Sequence, residues 1–186
     1  MKVLVVIGTR PEAVKMAPVV RALQARPNRF DSVAVCLTAQ HRELLDQVIR
    51  VFDLPVDYDL DLMSPDQTVF DVTAAVLSGM RKILEAARPD LALVHGDTTT
   101  TFAAALAAYY QRVPIAHVEA GLRTFDKYQP FPEEMNRRLC DALCDYHYAP
   151  TARARENLLR EGITDKGIVV TGNTVIDALL HVAAQP

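Results

Sequence analysis

Met1-Lys2-Val3-Leu4-Val5-Val6-Ile7-Gly8-Thr9-Arg10-Pro11-Glu12 opens the chain and carries the strongest signal of its fold. Residues 3–7 are an unbroken apolar run, too short for a helix and lacking the polar alternation of a half-exposed strand. That is the pattern of a strand covered on both faces, the usual condition of a parallel sheet. Gly8 allows a tight turn, and Thr9-Arg10-Pro11-Glu12 then has capping-box spacing, a hydroxyl with an acid three residues on. A strand that runs through one glycine into a capped helix begins a strand–helix–strand unit. Residues 1–8 have one basic residue and no small-residue cleavage site, so they read as a first strand rather than a signal peptide.

The same alternation continues outward. Apolar runs at 32–37, 91–95, 115–118, 146–148 and 168–171 read as strands, with helical patterns near 11–26, 39–53, 67–87, 98–111, 133–144 and 151–160. Ser64-Pro65-Asp66-Gln67 repeats the capping-box spacing and marks another helix start. Pro18 falls inside the first helix and is expected to kink or divide it. The result is an α/β fold, a parallel sheet wrapped by helices through right-handed crossovers. Residues 175–182 begin a further amphipathic helix, either the start of a new element in a longer protein or a short helix docked on the domain.

Composition narrows the function classes. The 186 residues suffice for one well-buried domain or two very small ones. A net charge of −3 argues against a general binder of nucleic acid or membrane surfaces, since nothing offsets phosphate repulsion. The longest stretch free of Asp, Glu, Lys and Arg, residues 98–111, has 14 residues and is too short to span a bilayer. Three cysteines, Cys36, Cys140 and Cys144, suit a reducing cytoplasm rather than a disulfide framework. A soluble intracellular protein is expected.

Ligands of an open parallel sheet bind beyond the carboxyl ends of its strands, so the polar residues there carry the functional reading. After the first strand, Gly8, a helix amino end and the Arg10 guanidinium could hold an anion, or simply form a capped turn. A single glycine is not the dinucleotide fingerprint, and no Gly-x-x-x-x-Gly-Lys-Ser/Thr loop is present. His95-Gly96-Asp97-Thr98-Thr99-Thr100-Thr101 follows a buried strand; Asp97 or Thr98 can cap the next helix, or Asp97 can be a cleft carboxylate tuned for proton work. Glu119 ends another apolar strand, where a buried carboxylate must be paired, solvated or protonated, and Arg123 is its nearest partner in sequence. Glu133 and Glu134 open a helix whose dipole favours acids. Cys140, Cys144 and His147 could share a face of a continued helix, but no further ligand pair is evident and buried core cysteines are the better reading; no metal is expected. Tyr109-Tyr110 and the preceding alanines read as core packing.

Taken together, Gly8–Glu12, Thr38-Ala39-Gln40-His41-Arg42, Val94–Thr101, His117-Val118-Glu119-Ala120-Gly121-Leu122-Arg123-Thr124, Pro132–Arg137 and Thr171-Gly172-Asn173-Thr174-Val175-Ile176-Asp177 resemble the bacterial UDP-N-acetylglucosamine 2-epimerase family, in the family's order along the whole chain. The resemblance implies the Rossmann-like, three-layer N-terminal domain of a two-domain GT-B-like fold. Residues 1–172 would form that domain and 173–186 begin the interdomain segment. The second half, which carries most uridine and diphosphate contacts and a His-Arg-Arg-Glu-Asn-like motif, is missing from this sequence, which points to a truncated chain with little activity alone. Carried over, the active-site carboxylates fall on Asp97, Glu119 and Glu133. Arg10, His95, Thr98 and Arg123 become substrate-binding candidates, and Gln40, His41 and Arg42 match a segment of a second, regulatory UDP-N-acetylglucosamine site; Glu43 departs from some regulated members, which carry glutamine.

The implied reaction interconverts UDP-GlcNAc and UDP-ManNAc by anti elimination of UDP to 2-acetamidoglucal and re-addition, without cofactor. Glu119 and Glu133 would handle the C2 protons while Asp97 orients the sugar or stabilises positive charge, in exchangeable roles. Expected partners are the two nucleotide sugars and a second copy in a homodimer, with no nucleic acid and no membrane. The competing readings are a hydrolysing epimerase releasing UDP and ManNAc, and a nucleotide-sugar-binding module without catalysis.

Overall fold

The computed structural model describes residues 1–38, 42–62, 64 and 66–184, with 42–44 described by backbone alone. Strands β1 (Lys2–Ile7), β2 (Ser32–Leu37), β3 (Tyr58–Asp59), β4 (Leu91–His95), β5 (Ile115–Val118), β6 (Tyr146–Ala149) and β7 (Ile168–Val170) form one sheet in the order β3-β2-β1-β4-β5-β6-β7. Every neighbouring pair is parallel. Around it lie α1 (Arg10–Gln24), α2 (Arg42–Phe52), α3 (Val69–Ala87), α4 (Thr99–Tyr110), α5 (Glu133–Leu143), α6 (Ala152–Arg160) and α7 (Val175–Ala183). This is a Rossmann-like α/β sheet. The chain winds outward from β1 to β3, then restarts at β4, so the loops after β1 and β4 diverge and open a crevice.

The first strand shows why polar alternation is absent. Val3, Val5 and Ile7 pack into one core with Met16, Val20, Phe52 and Ala178, while Leu4 and Val6 pack into the other with Met80, Leu84, Ala104 and Cys140. Each buried aliphatic side chain of this kind contributes about 1.5–3 kcal/mol, and a strand loading two cores needs them at every position.

Four details differ from the sequence reading. β3 was not expected; it is two residues long and exists through its pairing of Cys36 with Tyr58 and Leu37 with Asp59, which no periodicity reveals. The helix expected after Ser64 starts at Val69, because Thr68 and Asp71 form the capping box instead: the Asp71 N–H donates to Thr68 Oγ1 at 3.3 Å and the Thr68 N–H to Asp71 Oδ2 at 2.8 Å. Pro18 leaves α1 one continuous helix, held on either side of the proline by buried Met16, Ala17 and Val20. Tyr109 and Tyr110 are 56% and 65% exposed, for they lie three and four residues past half-buried Leu106 and continue the outer face of α4. The alanines before them are buried as read.

The last helix docks on the domain. Ala178 is buried in the first core, and the His181 ring lies 5.6 Å from that of Phe52. Among the described residues no helix is long and apolar enough to cross a membrane.

Candidate active site

The loop after β1 is built by Glu12. Its carboxylate accepts the N–H groups of Gly8 and Thr9, the latter at 2.9 Å, and reaches across to Thr98 Oγ1 at 2.6 Å and Thr101 Oγ1 at 3.3 Å. The capping acid thereby ties the β1 loop to the start of α4. Gly8 is required by space: a Cβ there would meet Thr100 at 2.7 Å. Of the two caps considered for α4, Thr98 takes the role, accepting the Thr101 N–H at 3.1 Å. That frees the Asp97 side chain. Arg10 is exposed at the start of α1 and lines a groove of about 360 Å³ with Val14, Phe52, Val175 and Leu179.

Asp97 turns toward α5. Its Oδ2 accepts from Arg137 Nη1 at 2.9 Å and its backbone carbonyl from Asn136 Nδ2 at 3.0 Å. Burial raises the Asp97 pKa; Arg137 opposes this, while Glu133 and Glu119 add to it by like-charge repulsion.

Glu119 follows β5 in the left-handed region, with φ +66°, a conformation costing about 1–2 kcal/mol for a residue with a Cβ. Such strain persists where the surroundings hold it. Here the next residue is pinned, Ala120 N–H donating to the Tyr148 carbonyl at 3.1 Å. The carboxylate takes Lys15 Nζ on both oxygens, at 2.8 and 2.7 Å, and Asn173 Nδ2 at 2.9 Å. His95 Nε2 stands 3.7 Å away, beyond hydrogen-bond range but within that of charge attraction. Burial acts against ionisation, yet His95 and Lys15 outweigh it and hold the carboxyl at about 2. The partner expected for Glu119 was Arg123. The structure pairs Arg123 elsewhere: its buried guanidinium donates to Asp141 at 2.7 Å and Glu161 at 2.6 Å. Lys15, one turn along α1 from the β1 loop, fills the place that sequence proximity suggested for Arg123.

The two acids opening α5 divide. Glu134 is fully buried and accepts the N–H groups of Thr124 and Phe125, each at 3.1 Å, and Arg137 Nη2 at 3.0 Å. It clamps the loop after β5, so it is more than a helix-terminus acid. Glu133 Oε2 is buried and, among the described residues, without a hydrogen-bond partner, as are both ring nitrogens of His95. Unsatisfied buried polar atoms of this kind need an explanation, and hydroxyls of a polyhydroxylated ligand would supply it.

The structure thus gathers Asp97, Glu119, Glu133, His95, Lys15 and Arg137 at the carboxyl edge of β4 and β5. Arg10 lies on a neighbouring apolar groove, Thr98 is spent on its cap and Glu12, and Arg123 on its own ion pairs. Gln40 and His41 lie outside the described residues, as does the side chain of Arg42. His147 does not share a helical face with the cysteines, because α5 ends at Leu143 and His147 belongs to β6. His117 is the histidine near them, its ligating atom within 4.8 Å of those of Cys140 and Cys144, but both its nitrogens are already hydrogen-bonded. Lys15 and Arg137 were not singled out from sequence. Arg137 stood inside a quoted motif, and Lys15 carried no signal beyond its place on the first helix.

Fold and site define a class: a doubly wound, Rossmann-like α/β domain with three carboxylates and two cations gathered at the switch-point side of its sheet. Residues 21–186 match the family profile described as UDP-N-acetylglucosamine 2-epimerase. The UDP-N-acetylglucosamine 2-epimerase of Escherichia coli strain K12 is 57% identical over 185 residues, 100% of this chain and 49% of that protein. The crystal structure of the Neisseria meningitidis UDP-GlcNAc 2-epimerase bound to UDP-GlcNAc is 55% identical with a TM-score of 0.94, over 97% of this chain and 48% of that one. The Methanocaldococcus jannaschii enzyme in complex with UDP-GlcNAc and UDP is 40% identical with a TM-score of 0.90, over 97% and 49%. The chain belongs to the UDP-N-acetylglucosamine 2-epimerase family, and it spans about half the length of these relatives.

Proposed function

We propose that this chain is the N-terminal domain of an enzyme interconverting UDP-GlcNAc and UDP-ManNAc, with residues 1–172 as the body of the domain and 173–186, docked on it through Ala178, leading toward a second. The observation that carries this reading is the convergence of Asp97, Glu119 and Glu133, close enough that both glutamates act on the ionisation of the aspartate. Elimination removes the C2 proton, breaks the bond from C1 to the UDP oxygen and forms the C1–C2 double bond of 2-acetamidoglucal. Re-addition of UDP with a proton delivered to the opposite face of C2 gives the epimer. Proton balance closes within the site, and no oxidant is required.

The electrostatics favour one distribution of roles. Groups whose environments push their pKa values apart divide acid–base work between them. Glu119, held ionised at about 2, suits stabilisation of positive charge developing at the anomeric carbon. Asp97, raised, and Glu133, with an oxygen unpartnered among the described residues, suit proton transfer at C2. His95 supplies hydrogen bonds to the sugar. Arg10, exposed on the neighbouring groove, is the cation assigned to the leaving diphosphate, and Arg123 acts through the loop it anchors. Gln40, His41 and Arg42 remain assigned to a regulatory nucleotide-sugar site. We further read the protein as cytoplasmic, consistent with three free cysteines, and as a homodimer through exposed apolar helix faces that include Tyr109 and Tyr110.

The test is proton NMR of UDP-GlcNAc in D₂O with protein expressed from the full open reading frame. Deuterium at C2 together with UDP-ManNAc is the expected result. Free ManNAc and UDP would move the assignment to the hydrolysing reaction, and absence of both exchange and product from folded protein would leave a binding module.

A further inference from the structure

His117 takes no part in the chemistry above, yet it is fully buried two residues before Glu119. Its Nε2 lies 2.7 Å from the Gly96 carbonyl oxygen and its Nδ1 2.6 Å from Asp141 Oδ1. A carbonyl only accepts, so Nε2 carries a proton and donates. The other Asp141 oxygen takes the Arg123 guanidinium at 2.7 Å and the Gly121 N–H at 3.3 Å, so Asp141 is ionised and also only accepts. Both ring nitrogens therefore donate, and the ring is a cation. Burial resists that charge, but the Asp141 carboxylate bonded to Nδ1 opposes it and the pKa stands well above 6.5. Burial pushes the Cys140 thiol itself well above its ordinary range, which leaves Asp141 as the counter-ion. His147 also packs here, its Nε2 donating to the Asp141 backbone carbonyl at 2.9 Å.

What this arrangement holds is the peptide before Asp97. The Gly96 N–H donates to the Val118 carbonyl at 3.0 Å and its carbonyl accepts from His117, so β5 grips it from both sides. Gly96 has φ +71° and nothing within 4 Å of an added Cβ; neighbouring side chains do not enforce its turn, and hydrogen bonds must. The same Asp141 grips Gly121, two residues after Glu119.

We propose that His117 is a positioning residue, whose hydrogen bond to the Gly96 carbonyl, made from a ring that Asp141 orients, sets Asp97 against Glu119 at the separation the reaction needs. This inference rests on the proposed epimerase reading. Misplacing a reacting group by about 1 Å is enough to lower turnover about 100-fold.

Two conservative variants in the protein from the full open reading frame separate positioning from general structural support. In His117→Gln the amide nitrogen falls near Nε2 and keeps the Gly96 bond; in His117→Asn it falls near Nδ1 and keeps only the Asp141 bond. We expect His117→Asn to lose about 10- to 100-fold in kcat with KM within about 3-fold, and His117→Gln to retain kcat within about 3-fold. Equal losses in both variants, or full activity in both, would overturn the proposal. Nitrogen-15 NMR of histidine-labelled wild-type protein, without substrate, decides independently should the Asn variant fail to fold. Two protons on the His117 ring, one of them lost in Asp141→Asn, support the bridge, and a single ring proton overturns it. A wild-type protein that leaves UDP-GlcNAc unchanged would defeat the epimerase reading alone, while the ring protons still report on the bridge.

Discussion

At the scale of residues, the site depends on charges whose partners come from distant parts of the chain. Glu119 is legible in sequence as a carboxylate at the end of a buried strand, and the requirement that it be paired follows from desolvation alone. The identity of the partner does not, since Lys15 is 104 positions away and Arg123 only four. This pairing has a measurable consequence. Glu119 ionises at about 2 in the folded chain against 4.5 for a free glutamate. Between those values the unfolded chain binds a proton that the folded chain does not, so acidification favours unfolding. The stabilisation is complete above the unfolded value and is lost as pH falls toward 2; solvent screening of this partly exposed group brings it to about 1–2 kcal/mol. Urea midpoints from about pH 6 to pH 3 should therefore fall less steeply for Glu119→Gln than for the wild type. Parallel slopes would show that Glu119 is not held ionised by its partners.

At the scale of elements, α5 organises both the cleft and the loop leading into it. Two adjacent acids at a helix start suggest only a favourable dipole, and the pattern cannot tell them apart. The fold separates them by angle: Glu133 enters the cleft, and Glu134 turns inward to the amides of Thr124 and Phe125. Arg137, one turn on, joins Glu134 to Asp97. Removing Glu134 leaves two loop amides without an acceptor and a largely buried guanidinium half-paired. Glu134→Ala should lower unfolding free energy by about 3–5 kcal/mol, a typical loss when one member of a buried pair is removed. Amide exchange at Thr124 and Phe125 should quicken more than in β5. Uniform acceleration across both segments would mean that Glu134 stabilises the domain without specifically clamping this loop.

At the scale of the whole molecule, the doubly wound sheet brings the loops after β1, β4 and β5 to one edge, and the alternation of apolar runs with helical patterns was enough to expect this. The order β3-β2-β1-β4-β5-β6-β7 places the switch point between β1 and β4, beside the clustered carboxylates. Yet Glu133 and His95 carry buried atoms without hydrogen-bond partners among the described residues, and the chain covers about half the length of its relatives. On the proposed reading a second domain supplies further substrate contacts, and without them the substrate is poorly oriented against these carboxylates. Protein limited to residues 1–186 should bind UDP-GlcNAc weakly and show no multiple turnover, whereas protein from the full open reading frame should turn it over. Sustained epimerisation by residues 1–186 in a coupled assay or by NMR would contradict this.

Local patterns in the chain specify the strand–helix succession, the parallel sheet, the capping box from Thr9 to Glu12, and the set of acids worth examining, because each depends on neighbours within a few residues. Tertiary structure decided which charges meet. Lys15 pairs with Glu119, Arg137 with Asp97 and Glu134, and Arg123 with Asp141 and Glu161, because strand order and helix rotation set those distances. Hydrophobic burial is specified by short-range patterns, whereas an ion pair forms only between groups the finished fold brings within a few ångströms, so the chemistry of this site emerged at the last level of assembly.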